Sequence, residues 1–238
     1  MHFTADIDWA PEEVIEDTLH LFEEFDVPCT LFATHKSEAL LNSNSDLFEI
    51  GIHPNFNSLL KGEGGNPDTI LNDLMDIYPK AQGVRSHSLT QNGWLLSKFK
   101  EIGMLYELNH FMPYFKSLSP FMLWCGLLRI PFNWEDDYHF ALNYSFDDCG
   151  IELSENNFSI FNFHPIHIYL NSENNDRFLN VKNDMENIKL LNENRNSGTT
   201  KGTRDILLDL LSQCTMQSSM PLKMIDVFNE YANKTQSG

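Results

Sequence analysis

The feature that most limits the fold is a rhythm in the first 109 residues, where short apolar runs alternate with longer amphipathic ones. Residues 2–8, 29–35 ("CTLFATH"), 47–53 ("LFEIGIH"), 83–88 ("GVRSHS") and 104–109 ("MLYELN") read as strands. Helices are expected between them. One starts at Trp9-Ala10-Pro11-Glu12-Glu13 and stops before Pro28, and a short one lies near 36–42. Another covers 67–78 with Pro67 at its first position, and a fourth covers 92–103 and ends on Gly103. Residues 54–66 read as loop. Such alternation implies parallel strands joined by right-handed crossovers.

The second half is less regular. Residues 127–134 ("LLRIPFNW") and 158–168 ("FSIFNFHPIHI") read as buried strands, and 203–214 and 221–232 as closing amphipathic helices. Residues 171–200 are rich in Asn, Glu and Ser and read as an insertion or mobile loop. No repeat or linker divides the chain, so residues 1–238 are expected to form one α/β domain, an irregular barrel.

Charge narrows the partners. The formal net charge is -18, which argues against nucleic acid and against anionic lipid surfaces. The 4 cysteines are far apart and form no CxxC pair, so neither a disulfide framework nor a structural zinc site is expected. No basic, apolar leader opens the chain and no apolar run is long enough to span a membrane, so the expected compartment is the cytoplasm.

In parallel α/β barrels chemistry collects where strands run into their following loops. Here those ends carry Asp6 and Asp8, then His53 with Asn57 after it, then Arg85 and His87. The run Trp134-Glu135-Asp136-Asp137 follows, and then His164 and His167. Taken singly, each has a plain structural role open to it. Asp8 could cap the next helix, His53, His87 and His167 could be satisfied histidines, Trp134 could be core, and the acids of 135–137 a solvated turn. Taken as a set at successive strand ends, they favour a metal site. Strand alternation puts Asp6 with Asp8 on one face, and Arg85 with His87. Two neighbouring carboxylates need a compensating positive charge, which a divalent metal or Arg85 would supply.

These motifs resemble those of the polysaccharide deacetylase superfamily (NodB homology, carbohydrate esterase family 4). The wording of "GIHPNFN", "VRSHSLTQ", "IPFNWEDD" and "FNFHPIHIYLN" is similar to its WbmS-like branch, associated with surface-polysaccharide gene clusters. The resemblance implies a distorted (β/α) barrel that removes acetyl groups from sugars with a bound divalent metal, commonly zinc. It implies Asp6 as general base in "TADID", Asp8 and His53 as metal ligands, Arg85 as partner of the base, and His164 as catalytic histidine. Trp134, Glu135, Asp136, Asp137 and His167 become candidates for holding the sugar, Trp134 by its ring face. One acid of 135–137 would orient His164.

The chain departs from the family where a second histidine usually follows the first by four residues. Asn57 stands there, a weaker zinc donor than imidazole, and His87 is the possible replacement. The expected partner is an N-acetylated sugar, nucleotide sugar or glycan. A sugar-binding pseudoenzyme without metal is the alternative, and Asn57 is the feature that favours it. A phosphohydrolase would want more than 16 Lys and Arg residues offer.

Overall fold

The computed structural model describes residues 1–116, 118–151, 157–216 and 220–236. Nine strands among them form one sheet. They are β1 (His2–Asp6), β2 (Cys29–Ala33), β3 (Phe48–Ile52), β4 (Gly83–Val84), β5 (Tyr106–Glu107), β6 (Phe121–Met122), β7 (Leu128–Arg129), β8 (Trp134–Glu135) and β9 (Ile160–Phe163). Their order is β6-β7-β5-β4-β3-β2-β1-β9-β8, and only β6 runs antiparallel to its neighbour.

That order forces the sheet to curl. β7 and β8 are seven strand spacings apart, roughly 34 Å in a flat sheet. Only Ile130–Asn133 joins them, a stretch that reaches about 18 Å at most. The sheet therefore closes on itself as a distorted barrel, and a bridge between Phe111 and Phe132 lies along the gap.

Alternation along the strands divides two cores. One lies between the sheet and its covering helices and takes in Phe3, Ala5, Phe22, Leu31, Ile52, Trp134, Phe161 and Phe163. The other fills the barrel interior with Phe32, Tyr106, Leu108, Leu128, Ile130, Phe132 and Ile160, joined by Met224 and Val227 of the helix Met224–Gln236. Space inside is tight. A Cβ on Gly83 would stand 2.2 Å from the Tyr106 phenol, so only glycine lets this ring pass.

Five expectations change here. Residues 54–66, expected as loop, hold the short helix Asn57–Leu60. The run 127–134 is two strands, β8 at one edge of the sheet and β7 next to the other, split at Pro131, which has no N–H to continue a ladder. The strand expected over 83–88 ends at Val84, and His87–Leu89 is a single 3-10 turn with Ser88 in the left-handed region (φ 56). The run 158–168 is a strand only to Phe163. Pro165 then opens the helix Pro165–Leu170, as proline favours the first helical position. The polar stretch 171–200 holds two helices, Asp176–Val181 and Ile188–Asn194, which bury Val181 and Leu191 against the outer core. No helix among the described residues is long and apolar enough to cross a membrane.

Candidate metal centre and active site

Because the strands are parallel, β1, β3, β4, β8 and β9 deliver their C-terminal ends to the same rim. A cavity of about 250 Å³ opens there, lined by Asp6, Asp8, His53, His87, Glu135, Asp137 and His164, with Ser86, Ser88 and Leu89.

The floor follows from strand register. β1 pairs with β9 so that Thr4 lies opposite Asn162. Two residues further on, each strand presents Asp6 and His164 respectively, on the same faces as Thr4 and Asn162. Arg85 enters from the end of β4 and is wholly buried. Its guanidinium lies between the rings of Phe32 and Phe132, 4.7 and 4.4 Å from their centroids. Each of its three nitrogens donates. Nη1 reaches Asp6 Oδ1 at 3.0 Å and also Asn162 Oδ1, Nη2 reaches Thr4 Oγ1 at 2.9 Å, and Nε reaches the Leu108 carbonyl at 3.3 Å. Asn162 Nδ2 donates to the other Asp6 oxygen at 2.9 Å. Asp6 is thus fixed at both oxygens and charge-compensated from below.

Asp8 arrives differently from the strand alternation expected. β1 ends at Asp6, and Asp8 and Trp9 both take left-handed backbone (φ 36 and 57) in a tight turn before the helix Glu12–Glu24. Such conformations cost of order 1–3 kcal/mol for non-glycine residues and cluster at functional sites. The turn aims Asp8 at two imidazoles. Its Oδ1 lies 3.3 Å from His53 Nε2 and 3.1 Å from His87 Nδ1. Burial alone would raise the Asp8 carboxyl, but these two histidines outweigh it and hold it well below the ordinary carboxylate range. The Asp8 contact in turn lifts His87. His53 is buried, and its Nδ1 has no hydrogen-bond partner; Asp6 Oδ1 approaches it only to 3.5 Å.

Asp8, His53 and His87 each bring one donor atom within 4.8 Å of the others. One carboxylate and two imidazoles are a donor set that suits zinc and related divalent ions. None of the lining residues is Lys or Arg. Asn57 does not line the cavity. It sits in the short helix Asn57–Leu60, and its amide Nδ2 faces Ser88 Oγ at 3.4 Å. Of the two alternatives for the third donor, that helix carries Asn57 aside while the turn after β4 brings His87 into the cavity lining.

The opposite wall is a closed pair. Asp136 is fully buried and accepts from the His164 backbone N–H at 2.8 Å, and it meets His164 Nδ1 at 2.6 Å. His164 Nε2 faces the cavity, 3.7 Å from Asp8 Oδ2 and 4.0 Å from Glu135 Oε1. Burial opposes a charged imidazole here, yet Asp136 and Asp137 outweigh it and raise His164 well above the usual histidine range. Burial pushes the Glu135 carboxyl up to about 8. Burial would also raise Asp137, but His164 and His167 outweigh it and take it down to about 2.

Three of the residues expected to hold a sugar are placed elsewhere. Trp134 is 0% exposed and packs on Phe161, Phe163, Phe146 and His139, so its faces meet core side chains and no sugar ring. Asp136 touches His164 and not the cavity. His167, expected on a strand, is buried in the helix Pro165–Leu170, where Nε2 meets Asp137 Oδ1 at 2.9 Å and Nδ1 faces Ser172 Oγ. Glu135 and Asp137 remain on the wall.

Sequence reading missed Thr4 and Asn162. Both were within reach of it, since each stands two residues before a candidate on the same strand face.

The model of the WbmS-like polysaccharide deacetylase family matches residues 3–182. A Bordetella bronchiseptica protein (WbmS), described as a polysaccharide deacetylase involved in O-antigen biosynthesis, has a similar solved structure. It is 36% identical, covers 89% of each chain and superposes with a TM-score of 0.83. A Mycobacterium smegmatis protein described as a polysaccharide deacetylase shares the fold at 14% identity, with a TM-score of 0.58 over 98% of this chain and 90% of its own. No curated protein matches the chain. With this barrel and these matches, the chain belongs to the WbmS-like polysaccharide deacetylase family.

Proposed function

We propose that the protein is a metal-dependent carbohydrate deacetylase that removes an acetyl group, N-linked in its main substrate, from a sugar used in surface-polysaccharide synthesis. The observation that carries this reading is the convergence of Asp8, His53 and His87 facing the His164–Asp136 pair across one cavity. The description of the Bordetella relative supports the surface-polysaccharide setting.

In this reading Asp8, His53 and His87 hold a zinc ion. When bound, the ion lowers the pKa of a water and polarises the acyl carbonyl. Asp6 accepts the proton of the attacking water at a carboxylate oxygen. Arg85 and Asn162 fix Asp6 in place. As the C–O bond forms and the C–N bond breaks, His164 gives the Nε2 proton to the leaving nitrogen. Asp136 holds His164 Nδ1 and favours the protonated ring. The products are acetate and an amino sugar.

The pseudoenzyme alternative drew on Asn57. With His87 beside Asp8 and His53, the change at position 57 no longer removes a donor. Metal analysis of the purified protein and acetate release from N-acetylated sugars test the proposal together. Acetate release should disappear after chelation and return with zinc. A metal-free protein whose acetate release ignores chelators would overturn the reading.

A further inference from the structure

Trp9 stands beside the cavity in an unusual state. It follows Asp8 directly and shares its left-handed backbone (φ 57), which is rare for so bulky a residue. The turn is pinned there, since the Trp9 backbone N–H donates to Thr34 Oγ1 at 3.1 Å. The ring is 41% exposed, whereas Trp134, the tryptophan expected at a sugar, is fully buried. Its one ring contact among the described residues is a T-shaped pair with His87, with centroids 5.1 Å apart. Such a pair leaves at least one face of the indole open. The fold gains little from this arrangement. Burial rewards an aromatic in proportion to the area it hides, and Gly, Asn or Asp meets a left-handed turn more easily. A strained, exposed aromatic next to a reactive cavity is the pattern of a residue kept for a ligand.

Size tells which part of the ligand it would meet. The cavity of about 250 Å³ is smaller than the about 300–1,000 Å³ of sites that enclose a drug-sized ligand. It has room for the acetamido sugar and little more, so whatever that sugar is linked to lies on the rim. Trp9 is outside the lining and touches His87, which is within it. A nucleotide carrier fits this rim poorly. Its diphosphate would enter beside Asp6, Asp8, Glu135 and Asp137, with neither Lys nor Arg in the lining to meet it. A second pyranose presents a face of C–H groups, which matches an open indole face.

We infer that Trp9 is the platform on which the sugar next to the deacetylated one stacks, so that the protein acts on glycans of two or more units. This rests on the deacetylase reading. The test compares three probes: N,N′-diacetylchitobiose, the methyl glycoside of N-acetylglucosamine, and UDP-N-acetylglucosamine. With zinc-loaded wild type, kcat/KM should favour the disaccharide over the methyl glycoside by about tenfold, carried by KM. Trp9→Ala should bring that ratio to within about twofold, and Trp9→Phe, with its smaller ring, should fall between. A residue that only supported His87 would instead alter zinc binding, so zinc titration of Trp9→Phe should match wild type to within about twofold. Equal slowing of all three probes, no preference for the disaccharide, or a preference for UDP-N-acetylglucosamine overturns the inference. Trp9→Phe keeps an aromatic ring and leaves the test open if the alanine variant unfolds.

A second readout needs no turnover. Chitobiose, which has no acetyl group to lose, should bind wild type more tightly than methyl glucosaminide does and should shift the tryptophan emission. The preference should fall in Trp9→Ala, and the emission shift should vanish in Trp9→Phe. If no probe releases acetate but this preference and its dependence on Trp9 persist, the deacetylase reading fails and the Trp9 contact stands. An emission shift that survives in Trp9→Phe, or no shift at all, overturns the contact.

Discussion

The two walls of the cavity use the same residue types to opposite ends. On the wall from β1, β3 and β4, the Asp8 carboxylate faces two imidazoles, and Asp8 and His87 are each 22% exposed at the side chain. On the wall from β8 and β9, Asp136 is fully buried, and its oxygens take the ring and backbone of His164 together with the Asp137 backbone N–H. The first wall gathers donors with room for a cation between them. The second is a closed unit that sets the protonation of one ring. A carboxylate–histidine contact becomes a ligand set or an acid according to how many imidazoles share the carboxylate and how deeply it is buried.

The largest expected effect lies between the walls. Asp6→Asn should lower turnover by about 10²–10⁴ while leaving metal content unchanged. It should also cost about 3 kcal/mol of stability in denaturant unfolding, because Arg85 would keep a buried charge with no counter-charge. Asp8→Asn should instead lose metal, and a variant that kept both metal and turnover would erase the distinction between the two aspartates.

The closed wall is probed by Asp136→Asn, expected to lower kcat by about 10²-fold. His164 is raised above 6.5 chiefly by Asp136 against its burial. The stabilisation from its charged form is therefore full below pH 6.5 and lost as pH rises through the folded value. Removing Asp136 lowers that folded value, so the alkaline limb of kcat/KM should move to lower pH. An unmoved limb would mean that another group sets it.

On the open wall, His87→Ala should weaken zinc binding by about 10–100-fold, the scale of losing a partner of the metal site. Asn57→Ala should change it by less than about twofold, since that amide faces Ser88 and lies off the cavity. Direct metal titration of the two variants orders them, and the reverse order would return the ligand role to residue 57.

Much of this was legible in the sequence. The alternation of strand and helix through residue 109 gave the parallel half of the sheet, since period and turn residues are local properties. Asp6, Asp8, His53, Arg85 and His164 stood at strand ends, and all five reach one cavity or its floor. The reasons assigned were less sound than the placements. Asp8 reaches the cavity through a left-handed turn that strand alternation does not describe, and His87 stands in a 3-10 turn after β4 has ended.

What the sequence by itself determined is the set of elements and the kinds of donor at their ends, because both depend on neighbours in the chain. Only the tertiary structure decided that "LLRIPFNW" spans two distant strands of a curled sheet, that Trp134 is core, and that His87 rather than Asn57 stands beside Asp8. Each of these depends on how strands far apart in sequence are ordered and curled, and no local period carries that information.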